Sequence, residues 1–65
     1  MHDPDAWRAA LAMVQQHGPY ALQRAHAHLD ELRRAGDSVG VAAWVMIAGA
    51  VRDLVRDRRG SDLLN

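Results

Sequence analysis

The chain has 65 residues, eight basic against eight acidic side chains, and no cysteine. That length allows one domain, which buries only about 60% of the surface its unfolded form exposes. The missing cysteines exclude disulfides and thiolate metal sites, and a formal net charge of zero withholds the basic excess that phosphate neutralisation requires.

All eight basic residues are Arg, and twelve residues are Ala. This bias fits a GC-rich genome better than a design for one ligand. The N-terminus, MHDPDAW, is acidic and has no apolar stretch of the signal-peptide kind. The longest uncharged apolar run, Val39 to Val51, falls short of the roughly 18 residues that cross a bilayer. A cytoplasmic protein without membrane contact is expected.

The pattern predicts an all-α, compact three-helix domain over residues 3–59, with helices at about 4–17 (α1), 19–35 (α2) and 38–58 (α3) and α3 central. In α1, Asp3 reads as the N-cap and Pro4 as the first helical residue, where its missing N–H costs nothing. Trp7, Ala10, Leu11, Val14 and His17 share one face at helical spacing, with Met13 at its edge.

Gly18-Pro19 closes α1 and opens α2 within two residues, which folds α2 back on α1 or across it steeply. The apolar stripe of α2 is Ala21, Leu22, Ala25, Leu29 and Leu32, and its small members allow a neighbouring helix to approach closely. Tyr20 falls on the polar side, as an interface anchor or as a ring lying over the next turn.

Gly36 is a stop signal for α2, and Asp37 or Ser38 caps α3. The stripe of α3 is Val41, Trp44, Ile47, Ala48, Val51, Leu54 and Val55. Gly40 and Gly49 each weaken this helix by about 1 kcal/mol relative to Ala, so close packing is the reason expected for them. Gly60 is read as the helix end and residues 60–65 as a flexible tail. The expected core is Trp7, Leu11, Val14, Leu22, Leu29, Leu32, Trp44, Ile47, Val51 and Leu54.

Only the second half of α3 is amphipathic. There Arg52, Asp53, Arg56 and Asp57 oppose the stripe, whereas the first half carries Ala42, Val45, Met46 and Gly49 in that place. A helix apolar on every side is normally buried on every side. Either α1 and α2 straddle α3 and cover it, or Ala42, Val45, Met46 and Gly49 form a patch for a second copy or another protein.

Little in the chain offers chemistry. His26 and Asp30 stand at i, i+4, two ligands where a structural zinc needs four, while His26 and His28 point to different sides of α2. There is no Thr, and Ser38 and Ser61 sit at a cap and in the tail. Asp53 and Asp57 flank arginines and read as solvated ion pairs rather than an acid–base couple. No catalytic residue, cofactor, metal or small-molecule substrate is expected.

Arg52, Arg56 and Arg59 are the best candidates for anion contact, and they also complement the C-terminal end of the helix dipole. The interleaved aspartates blunt their field, and no aromatic residue on that face offers a stacking platform. A helix-turn-helix arrangement about Gly36 would put Val39, Gly40 and Val41 at the head of the recognition helix, where they read no base edge.

The spacing His17-Gly18, Ala21, Ala25, Leu32, Gly36-Asp37, Gly40, Trp44, Ile47, Ala50, Leu54 resembles a family of small uncharacterised alphaproteobacterial proteins, mainly of sphingomonads. That family is marked by an HG between its first helices and by GD-x-x-G-x-x-x-W at the start of the last. The likeness covers about residues 7 to 56 and implies a bacterial, cytoplasmic, helical protein. No activity comes with it. This sequence departs from the group in its apolar surround of Val45-Met46.

These residues favour a non-enzymatic interaction module, an adaptor or regulator that self-associates through α3. The alternatives are a nucleic-acid-associated accessory protein using the arginine stripe and a phage- or plasmid-borne inhibitor of a host protein.

Overall fold

A computed structural model describes residues 4–64 of the chain, with side chains over 4–57. It contains α1 (Pro4–His17), a 3₁₀ turn (Gly18–Tyr20), α2 (Ala21–Ala35) and α3 (Ser38–Leu64), and no strand among the described residues. The expected N-cap Asp3 lies outside them.

The bend between α1 and α2 is tighter than a loop. Gly18 takes a left-handed φ of +55° and opens the 3₁₀ turn with Pro19 next in it, so helical hydrogen bonding resumes at once. α1 and α2 are therefore two limbs of one bent helical arm laid against α3. The expectation of three separately connected helices is corrected to that extent. α3 packs along both limbs, while the limbs touch one another little beyond the bend.

At the other turn Gly36 ends α2 with φ +72°. Its N–H donates to the Arg33 carbonyl at 3.1 Å, and the Asp37 N–H donates to the Leu32 carbonyl at 3.0 Å. This pair of bonds satisfies carbonyls that the helix end would leave open. Asp37 then caps α3, its Oδ1 accepting the Gly40 N–H at 2.9 Å. The expected helix end at Gly60 is corrected, because α3 continues to Leu64. A single Gly costs a helix about 1 kcal/mol, which weakens it without stopping it unless the residue turns left-handed. Residues 60–64, expected as a tail, belong to that helix; Asn65 lies outside the described residues.

The core is narrow and rich in alanine. Ala6, Ala10 and Val14 of α1 meet Ala21 and Ala25 of α2 and Ile47, Ala48, Ala50 and Val51 of α3. Leu29 is buried as well, and Val51 is the one large side chain without exposure among the described residues. Trp7, Met13, Leu22, Trp44, Leu54 and Val55 pack against this centre while staying partly exposed. The expected core holds for Val14, Leu29, Ile47 and Val51. Leu11 was expected inside and is 38% exposed, because α1 turns Ala6, Ala10 and Val14 inward and leaves Leu11 at the margin. Small residues at the centre of the contact let the helix backbones approach closely, and the larger side chains lie around the seam.

Candidate functional site

The two-residue turn at Gly36 sets α2 and α3 antiparallel, so residues equally far from it in sequence face one another. Leu32 stands against Gly40, where a Cβ on the glycine would lie 3.0 Å from the leucine Cδ2. One turn further on, the His28 and Trp44 rings meet edge to face with centroids 4.3 Å apart. His28 Nδ1 also lies 3.6 Å from a Glu31 carboxylate oxygen. His28 and His17 are partly buried and His26 is exposed. Among the described residues, no three His, Asp or Glu side chains come together as a metal site would require.

α1 and α2 cover one side of α3's first half and leave the other side to solvent. Val45 is 50% exposed and Met46 47%, with Ala42 exposed and Gly49 half-buried on the same side. Nothing lies within 4 Å of the position a Gly49 Cβ would occupy. The expected patch of Ala42, Val45, Met46 and Gly49 is thus a continuous open surface at i, i+3, i+4, i+7 spacing. Val39 extends it toward the helix start at 80% exposure. Beside the patch runs a shallow groove between α2 and α3, with Leu29 and Ala48 in it and His26, Arg33 and Arg52 along it. The alternative expectation, that the two preceding helices straddle α3 and bury most of it, does not hold at these residues.

The stretch Ser38–Asp57 is long and apolar enough to cross a membrane, by length and composition alone, with a mean hydropathy of 1.6. It extends past the uncharged run Val39–Val51 and takes in Arg52, Asp53, Arg56 and Asp57 at its C-terminal end. Within the segment, 22% is buried inside the fold.

The arginine stripe is largely neutralised. Asp53 Oδ1 accepts from Arg56 Nη2 at 3.3 Å and lies 3.8 Å from Arg52 Nε, so one carboxylate holds both guanidinium groups. Arg59, the third expected anion contact, has its side chain outside the described residues. Arg33 is similarly engaged with Asp30 at 3.5 Å. A second hollow, at the inner side of the α1–α2 bend, is lined by Gln16, His17, Tyr20, Gln23 and Arg24. Tyr20 itself is 66% exposed there.

The His28–Trp44 pair was not anticipated from sequence, although its signal was present: both residues lie eight positions from Gly36. Comparison with protein families, with curated proteins and with solved structures finds no match for this chain. Those comparisons do not bear on the resemblance to the alphaproteobacterial group, and the surface of α3 carries the functional argument.

Proposed function

We propose that this chain is a non-enzymatic helical interaction module, an adaptor or regulator, that self-associates through the open face of α3. In this reading the bend at Gly18 acts as a connection, and the chain works as a three-helix domain with α3 central. The observation that carries it is the half exposure of Val45 and Met46 side by side on a helix with no charged residue before Arg52. Apolar surface gains about 25 cal/mol per Å² on leaving water, so a partner covering this face gains directly from it. A core built mostly of alanine gives the isolated chain little reserve and adds to the advantage.

The reading goes with a cytoplasmic location and a protein partner, and needs no small-molecule substrate. The nucleic-acid alternative through Arg52, Arg56 and Arg59 is weakened by the ion pairs of Asp53. A role as inhibitor of a host protein would use the same face on a different occupant.

Light scattering after size exclusion tests the proposal on the wild type and on Val45→Glu/Met46→Glu. A dimeric wild type and a monomeric, equally helical variant are expected. A monomeric wild type overturns self-association, and flotation of that monomer with lipid vesicles would assign the face to a membrane instead.

A further inference from the structure

We infer that the hollow at the α1–α2 bend binds a small aromatic carboxylate, with Arg24 holding the carboxylate and Tyr20 the ring. This site is independent of the open face of α3, because no α3 residue lines the hollow. Its walls are Gln16 and His17 from the end of α1, then Tyr20, Gln23, Arg24 and Ala27. The last four stand at i, i+3, i+4 and i+7 and so form one strip along α2. The left-handed turn at Gly18 sets Gln16 and His17 beside the head of that strip.

The charge distribution points to an anion. Arg24 is the one arginine of the eight with no Asp or Glu within four residues in sequence, and no acidic residue occurs between Asp5 and Asp30. Arg33, Arg52 and Arg56 each lie 3.3 to 3.8 Å from an aspartate oxygen. No ion pair engages Arg24 among the described residues, and no carboxylate lines the hollow. Its guanidinium keeps its charge at any physiological pH, so positive charge stands here without an internal counterpart.

The donors point to a carboxylate. Among the described residues, the side chains of Gln16, His17, Tyr20 and Gln23 are held by no hydrogen bond, and neither His17 nor Tyr20 caps the helical turn that follows it. Two carboxamides, an imidazole, a phenol and a guanidinium all present N–H or O–H groups. A carboxylate only accepts, and Arg24 can offer it the two parallel N–H groups of a bidentate pair. One fixed positive charge matches a monoanion, whereas a phosphate dianion would leave a charge unmatched.

Size and surface supply the rest of the ligand. The hollow measures about 490 Å³, within the usual range for small-molecule sites. The Tyr20 ring is 66% exposed at its edge, and Ala27 adds a methyl group to the same wall. A flat ring laid on this wall gains by stacking on the phenol.

Sodium benzoate tests the site, with benzamide as a neutral probe of the same shape. In proton–nitrogen correlation spectra benzoate is expected to shift the side-chain amides of Gln16 and Gln23 saturably. Benzamide is expected to bind about tenfold more weakly, and Arg24→Gln to weaken benzoate by about the same factor. Tyr20→Leu is expected to weaken it about threefold. Arg34→Gln, which removes an exposed arginine outside the hollow, is expected to leave the affinity unchanged. All three side chains are exposed, so the variants should keep the helicity of the wild type, which circular dichroism checks. Shifts that never saturate, or equal affinities of wild type and Arg24→Gln, would overturn the site. Benzamide binding as tightly as benzoate would overturn the carboxylate. Unchanged affinity in Tyr20→Leu, or displacement of benzoate by an equal concentration of inorganic phosphate, would overturn the aromatic ligand.

Discussion

His28 holds its imidazole edge-on to the indole of Trp44, centroids 4.3 Å apart and ring planes at 68°, across the α2–α3 seam. Edge-to-face pairs of this kind contribute about 0.5–1.5 kcal/mol beyond the area they bury. A double-mutant cycle with His28→Ala and Trp44→Leu should return a coupling of about 1 kcal/mol in urea melts. A coupling near zero would mean that the two rings are neighbours without being partners.

Gly40 and Gly49 stand in the same helix, and replacing them by Ala should act in opposite directions. A Cβ at Gly40 would meet Asp37 Oδ2 at 2.7 Å and Leu32 Cδ2 at 3.0 Å, displacing the cap carboxylate and crowding the seam. Gly40→Ala should therefore cost about 1 kcal/mol, the lost cap and strain outweighing the gain in helix propensity. Gly49 has open space, so Gly49→Ala should stabilise the monomer by about 1 kcal/mol. Urea melts of both changes in the Val45→Glu/Met46→Glu background separate helix stability from association. Equal signs would refute the distinction between a packed glycine and an open one.

Val51→Ala should be the more damaging of two truncations in which the other removes more carbon. Val51 has no exposure, and deleting two buried methyl groups costs about 2 kcal/mol in a core with few other large residues. Leu11→Ala removes three carbons from a side chain at the margin and should cost under about 1 kcal/mol. Thermal melts of the two variants would show the order directly.

The contrast between Val51 and Leu11 marks how far the sequence could be read. Helix positions followed from Pro4, Gly18-Pro19 and Gly36-Asp37, because each supplies a backbone constraint that acts locally. The open patch on α3 followed from the lack of charge between Val39 and Val51. The centre of the core followed in part: Ala10, Ala21 and Ala25 stood on the expected stripes, but the expected core was drawn from the large side chains, whereas alanines including Ala6 sit at its centre. Rotating α1 by one residue changes Leu11 from core to margin, and only the packing of three helical segments fixes that rotation. The run of α3 past Gly60 was equally hidden, since a helical glycine and a terminating one differ only in φ.

Asp53 decides whether the arginines of α3 are available to an anion. Its carboxylate binds Arg56 at 3.3 Å and lies 3.8 Å from Arg52, with both arginines well exposed. Such surface pairs contribute little to stability, so Asp53→Asn should lower it by about 0.5 kcal/mol or less. The change matters more for binding, because it releases two guanidinium groups from their internal partner. With the pairs intact, no retention of duplex DNA or RNA is expected for the wild type at low salt. If Arg52 and Arg56 did meet phosphates, log affinity would fall with log salt at a slope of about −2, one unit for each charge neutralised. Fluorescence-anisotropy titrations at several salt concentrations, run on wild type and Asp53→Asn together, read that slope. Wild-type binding with such a slope would return the arginine stripe to first place and reduce the open face of α3 to a packing accident.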